Sequence, residues 1–200
     1  MLYLWPQASS MVNFPPQFGV MTSPAHGSVP LGIQEGRYWV CDNEVYTRGF
    51  EPDRFFDYLE TLLSYSRTCL FAVCPDVVGD AEATRKLYGK YAARIKTIIG
   101  RVAFVSQDGQ CANELPGFDA LFIGGTTEWK MSPAADACIR EAKRLGKWVH
   151  VGRVNSLTRM RHFKVMEVNS VDGTFPCFEP DVAKRRLGRG LAQPPLISLL

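Results

Sequence analysis

The chain has 200 residues, 46% hydrophobic and 22% charged, which is enough for one substantial core and excludes a disordered or fibrous protein. The opening run "MLYLWPQASSMVNFPP" has no basic leader and is broken by prolines, and no apolar stretch approaches membrane-spanning length. The composition therefore points away from a signal peptide and a membrane and towards the cytoplasm, and the net charge of +3 leaves nucleic acid open as a partner.

In chain order, "LYLW" and "FGVMT" (18 to 22) are candidate strands, and the loop "SPAHGSVPLGIQEG" after them has no helical pattern. "VCD" near 40 is a firmer strand. "PDRFFDYLETLLSYSR" follows, with Phe55, Phe56, Leu59, Leu62 and Leu63 on one helical stripe. After the strand "CLFAVCP" (69 to 75), "DAEATRKLYGKYAARIKTII" reads as a helix capped by Asp80, with Leu87, Tyr91, Ile95 and Ile98 on its stripe. "RVAFVSQ" (101 to 107) is a strand, and the segment 107–119 is too short for more than a turn of helix. "ALFIGG" (120 to 125) precedes a helix in "SPAADACIREAKRLGK", with Ser132 as N-cap, Pro133 at the first helical position and a stop at Gly146. "WVHVG" (148 to 152) and "NSVDGTF" (169 to 175) complete the series.

Short runs that are apolar on both faces and alternate with helices make a covered parallel sheet. Six strands would give an open doubly wound sheet; eight close a barrel. No G-x-G-x-x-G or G-x-x-x-x-G-K-[ST] follows any strand, which removes the main support for a nucleotide-cofactor sheet. The expected fold is α/β, a compact, trimmed (β/α)8 TIM-like barrel forming a single domain over residues 1–200, with 177–200 as a C-terminal helix or tail. The apolar tail "PPLISLL" either closes the barrel or marks a subunit contact in a homo-oligomer.

Six cysteines, Cys41, Cys69, Cys74, Cys111, Cys138 and Cys177, make no C-x-x-C pair, and several lie inside apolar runs as reduced thiols do. His26, His150 and His162 have no ligand spacing, so no metal and no cofactor is expected. Charge is uneven: residues 139–190 hold 12 Lys/Arg against 5 Asp/Glu, leaving 11 against 15 elsewhere. The clusters "RLGKWVHVGR", "TRMRHFK" and "KRRLGRG" form either a phosphate-binding patch or solvated helix faces.

In such a barrel the active site lies at the C-terminal ends of the strands. The exits here carry Asp42, Asp76, Gln107 with Asp108, Gly124 with Gly125, Gly152 with Arg153, and Asp172. Taken singly these are ordinary turn residues, and Asp172-Gly173 alone reads as a hairpin corner. Jointly they suit chemistry at an acetal-like carbon, one acid attacking and the other handling a proton.

The pieces "WVCDNEVY", "CPDVVGDAEAT", "FVSQDG", "LFIGGTTEWK", "WVHVGRVNS" and "NSVDGTFP" occur in the order of a known family, over residues 37–176. The chain resembles the tRNA-guanine transglycosylase superfamily, most closely the DNA-acting DpdA-type enzymes of phages and bacteria, which insert 7-deazaguanines into DNA. The resemblance implies a (β/α)8 barrel that exchanges guanine in DNA for a base such as 7-cyano-7-deazaguanine (preQ0). Its partners would be DNA and the free base, in the host cytoplasm if phage-encoded. It makes Asp172 the nucleophile that forms a covalent glycosyl-enzyme at C1′, with Gly173 leaving C1′ room to approach, and Asp42 the general acid/base. Asp76 would read the guanine N1–H and amine, and Gln107 would lie near O6. Gly124 and Gly125 would let backbone N–H groups approach the base, Tyr46 would stack on it, and Arg153 would be a basic contact, with "RVNSL" bringing a helix N-terminus to a phosphate.

Two departures stand out. The tRNA enzymes follow their first aspartate with a double glycine, where this chain has Asn43-Glu44-Val45. They also carry a zinc subdomain after the last strand, where this chain keeps only Cys177, which with "GGTTEWK" and "GRVNS" favours the DNA-acting group. Glu128 and Lys130 are either substrate contacts or a surface loop pair. The alternatives are tRNA as the polymer, a non-catalytic nucleic-acid-binding subunit, and a barrel glycosidase acting on small sugars.

Overall fold

The computed structural model describes residues 1–6 and 15–173. Its strands are β1 (Leu2–Pro6), β2 (Phe18–Thr22), β3 (Trp39–Cys41), β4 (Cys69–Val73), β5 (Val102–Ser106), β6 (Ala120–Ile123), β7 (Trp148–Val151) and β8 (Ser170–Asp172). They pair in parallel in chain order, and β8 closes onto β1, Leu4 opposite Asp172. The expected eight-stranded barrel is therefore present, including both N-terminal strands. The helices are α1 (Leu31–Gln34), α2 (Val45–Arg48), α3 (Pro52–Thr61), α4 (Ala81–Ile99), α5 (Thr127–Lys130), α6 (Pro133–Arg144) and α7 (Leu157–Val165). None among the described residues is long and apolar enough to cross a membrane. The segment 177–200, with Cys177 and "KRRLGRG", lies outside the described residues.

Side chains alternate across each strand, so a barrel sorts its residues into an inside and an outside. Leu2, Leu4, Met21, Val40, Phe71, Val73, Ala103, Val105 and Ala120 form one buried cluster that fills the barrel, with Tyr38, Phe122 and Trp148 packed on it. Neighbours of the opposite parity, such as Tyr3, Trp5, Phe104, Leu121 and Val149, belong to the larger cluster under the helices. Both sets are apolar, which is why the strand sequences do not alternate. At Gly19 a Cβ would lie 2.7 Å from Tyr38 O and 2.9 Å from Leu4 Cδ2, so only glycine lets β1, β2 and β3 close at that level.

Three helix ends follow the sequence. Asp80 Oδ1 accepts from Ala83 N at 2.9 Å, Ser132 Oγ from Ala135 N at 3.3 Å, and α6 is closed at Gly146, in the left-handed region at φ 66°. Two stripes shift. Leu63 is 53% exposed, because α3 ends at Thr61 and the chain tightens into a 3-10 segment, Leu63–Thr68, that breaks the 3.6 period. On α4 the buried positions are Ala81, Thr84, Tyr88, Ile95 and Ile99; Leu87, Tyr91 and Ile98 are only partly covered. The loop after β2 does hold helix, a 3-10 turn (Pro24–His26) and α1, each a single turn and so without a visible period. The segment 107–119 holds one 3-10 turn, Ala112–Glu114, as its length predicts.

Candidate active site

Continuing the inward parity of each strand past its last interior residue names the mouth of the barrel. Asp42 follows Val40, Gln107 follows Val105, Gly124 follows Phe122, Gly152 follows His150 and Asp172 follows Ser170. These residues, with Asp76, Asn43, Tyr46, Lys130 and Arg153, line a cavity of about 370 Å³. Its floor and walls are Met21, Val73, Val105 and Phe122, apolar and suited to a flat ring. All eight residues expected at the site, Asp172, Asp42, Asp76, Gln107, Gly124, Gly125, Tyr46 and Arg153, border this one cavity.

Asp172 ends β8 with its side chain 13% exposed. Its Oδ1 accepts from His150 Nε2 at 3.1 Å and from the Arg153 backbone N–H at 3.0 Å, while Oδ2 carries no hydrogen bond among the described residues. One oxygen fixes the carboxylate and the other is left for the cavity. His150 is fully buried between the rings of Phe122 and Phe71, at 4.6 and 5.7 Å between centroids. Its Nδ1 lies 2.9 Å from Ser170 Oγ, which itself accepts from Trp148 Nε1 at 2.9 Å. A carboxylate oxygen accepts, so the ring presents its Nε2–H to Asp172, with Nδ1 beside the Ser170 hydroxyl. In the sequence His150 is one of three histidines without ligand spacing; its signal is a polar residue at an inward position one strand from Asp172.

Asp42 is held by a hydrogen bond from the Asn43 N–H to its Oδ1 at 2.9 Å. Its pKa is raised to about 7, chiefly by burial, then by the charges of Asp172 and Asp76, so near neutral pH it is present in both protonation states. Asp76 is buried and braced on both oxygens: Asn43 Nδ2 donates to Oδ1 at 2.9 Å and Gln107 Nε2 to Oδ2 at 2.5 Å. Burial still raises its pKa, against these two bonds. The Gln107 carbonyl accepts from Gly79 N at 3.0 Å, so both ends of this amide hold the wall of the cavity.

The Asn43-Glu44-Val45 departure now has a role. Asn43 also donates to Cys74 O and accepts from Val45 N, tying β3 to β4. Glu44, at φ 62°, accepts from Ser23 Oγ and Ala25 N and pairs with Arg54, which ties the β2 loop to α3.

At Gly124 a Cβ would lie 2.8 Å from Gln107 Nε2, so the missing side chain keeps Gln107 in place; the Gly124 N–H is used on Ser106 O. Gly125, at φ +76°, turns the chain into α5, and Asp108 closes that turn by accepting from Thr126 N and Oγ1. Asp108 is thus a structural cap at a strand exit. The Tyr46 ring is exposed at the rim with the Arg153 guanidinium 4.0 Å over it, so one face is already covered. Gly173 does not leave space for a substrate: a Cβ there would collide with Asn155 Oδ1 and lie 3.0 Å from the Tyr3 hydroxyl. Lys130 and Glu128 part company, since Glu128 is exposed while Lys130 is 2% exposed and donates to Gly152 O at 2.9 Å. Among the described residues no group of three or more His, Cys, Asp or Glu is placed to hold a metal.

Fold and mouth together define a parallel (β/α)8 barrel with paired carboxylates over an apolar cavity. No family model matches the chain, and no curated protein matches it. Among solved structures it is similar to the HpcH/HpaI aldolase from Desulfitobacterium hafniense DCB-2, with 11% identity and a TM-score of 0.46 over 90% of this chain and 94% of that one.

Proposed function

We propose that the chain is an enzyme of the guanine transglycosylase type, exchanging guanine in DNA for a 7-deazaguanine such as 7-cyano-7-deazaguanine. The observation that carries the reading is the asymmetry of the two acids: Asp172 is fixed through one oxygen with the other open to the cavity, and Asp42 is tuned to about 7. A nucleophile and a proton shuttle need those two conditions. The resemblance of "GGTTEWK" and "GRVNS" to the DNA-acting group selects the polymer.

In this mechanism the target nucleotide is flipped out so that its base enters the apolar cavity, N1–H and amine towards Asp76. Asp172 Oδ2 attacks C1′ as the C1′–N9 bond breaks, and the electron pair leaves with guanine, which takes the proton of Asp42. The incoming deazaguanine then gives its N9 proton to the Asp42 carboxylate and attacks C1′, releasing Asp172. Protons and charge balance over the cycle, and no cofactor is consumed.

The test is incorporation of a labelled deazaguanine when DNA and tRNA are offered together. Label is expected in DNA, with Asp172→Ala and Asp42→Ala each lowering exchange by at least about a thousandfold, as loss of a covalent nucleophile or its proton partner does. A covalent protein–DNA adduct should form with the wild type and not with Asp172→Ala. Full exchange by Asp172→Asn would overturn the assignment, and label in tRNA alone would change the polymer.

A further inference from the structure

One buried group in the mouth takes no part in the exchange chemistry. Lys130 is 2% exposed, the one buried lysine or arginine among the described residues, and it lines the same cavity as Asp42, Asp76 and Asp172. We propose that Lys130 is an amine nucleophile that captures the aldehyde of an open-chain deoxyribose in this cavity as a Schiff base. The proposal rests on the transglycosylase reading for where that sugar comes from, and not for the reactivity of the amine.

The placement comes from the turn between β6 and α5. Asp108 accepts from Thr126 N and Oγ1, Thr126 Oγ1 accepts from Trp129 N at 3.1 Å, and the Trp129 ring packs into the core. Lys130, next on this pinned turn, reaches across to the exit of β7, where its Nζ donates to Gly152 O at 2.9 Å. Gly152 is also the residue at which a Cβ would lie 3.4 Å from Asp172 Oδ1. Amine and nucleophilic carboxylate therefore flank one backbone unit of the cavity wall.

A surface lysine adds poorly to carbonyls at neutral pH, because a proton occupies its lone pair; burial and a neighbouring cation free it. Both conditions hold here. Burial first, then Arg153 and Arg159, lower the Lys130 pKa to about 8, while Asp172 and Asp108 pull the other way. Roughly a tenth of the molecules hold the free amine at pH 7, against fewer than about one in a thousand for an exposed lysine. The Gly152 carbonyl needs only one N–H, so it anchors the side chain in either protonation state.

The glycosyl-enzyme on Asp172 has two exits. A deazaguanine restores a nucleotide, whereas water leaves an abasic deoxyribose, whose ring opens to a C1′ aldehyde within the cavity. The Nζ lone pair forms the N–C1′ bond as the carbonyl oxygen takes the proton of Asp42. Asp42 recovers a proton from the nitrogen and gives it up again as the hydroxyl leaves as water. Amine, aldehyde and one Asp42 proton become an iminium ion, water and the Asp42 carboxylate, with no oxidant or reductant consumed.

The test offers the full chain a single-stranded oligonucleotide with one abasic site, or free 2-deoxyribose, at pH 7 with cyanoborohydride, and locates the reduced adduct by peptide mass mapping. Lys130 should be labelled at least about tenfold faster than any exposed lysine. It should also outpace the Met1 amine, whose pKa burial also lowers. Lys130→Arg keeps a charge but offers no comparable nucleophile and should lose the adduct; Lys86→Ala, on the exposed side of α4, should keep it. The wild-type map decides the matter even where the arginine variant is unstable. Labelling of Lys130 by the strand alone assigns an abasic nucleotide as the ligand, and labelling by the free sugar as well assigns the aldehyde itself. An adduct on Lys130 without any base exchange leaves the amine assigned and removes the transglycosylase reading. No adduct on Lys130, or labelling spread evenly over the surface lysines, overturns the proposal whether or not base is exchanged.

Discussion

At the residue scale, His150 separates orientation from chemistry. It touches the far oxygen of Asp172 and no part of the open cavity surface, so it acts as a positioning residue. Removing its N–H deletes a hydrogen bond to a charged group, and His150→Ala is expected to lower kcat about 10- to 100-fold with little change in KM. His150→Gln, whose amide can still donate towards Oδ1, should recover much of the loss, which a purely space-filling role would not predict. Wild-type kcat in the alanine variant would remove His150 from the mechanism. Ser170→Ala makes a second reading of the same chain of bonds, because it leaves the Asp172 carboxylate as the one group on β8 that holds the Nε2–H form.

The strands were legible element by element, and the reason is physical: each is a short apolar run bounded by a helix cap or a turn, and all eight stand where those boundaries put them. What the runs concealed was which face looks inward. Both faces are buried, so Trp148, His150 and Gly152 read no differently from Val149 and Val151 until closure of the barrel assigns parity. Asp42, Asp76 and Asp172 were visible because a carboxylate at a strand exit interrupts an apolar pattern. Asn43 was not, since an amide in a turn is ordinary on a surface, and Lys130 stood between a substrate contact and a surface lysine until the fold buried it. The turn from β6 into α5 shows how little freedom these exits have. At Gly125 a Cβ would meet Asp108 Oδ2 at 2.5 Å in a backbone at φ +76°, so Gly125→Ala should cost about 2–4 kcal/mol by denaturant unfolding. It should also displace Lys130, which donates to Gly152 O across the mouth. An alanine variant as stable as the wild type would show that the Asp108 cap is not holding that turn.

At the scale of the whole molecule, the mouth opposes stability, and pH exposes the conflict. Asp42 titrates at about 7 in the folded chain against an ordinary value of 3.8, so between those limits the folded state keeps a proton that the unfolded chain has released. Stability from this group is therefore complete below the lower value and lost as pH rises through about 7. The full difference is on the order of 4 kcal/mol, an upper bound because water reaches the mouth. Asp42→Asn carries no charge to bury. It should match the wild type near pH 4 and exceed its melting temperature at about pH 8 by roughly 5–10 °C. Activity should run the other way: guanine release needs the protonated acid, so in the wild type it should fall as pH rises past about 7, and the asparagine variant should be inactive throughout. A melting-temperature difference that is constant across pH would mean that Asp42 is not the buried, charge-coupled acid. The exchange chemistry would then need another proton donor in the same cavity.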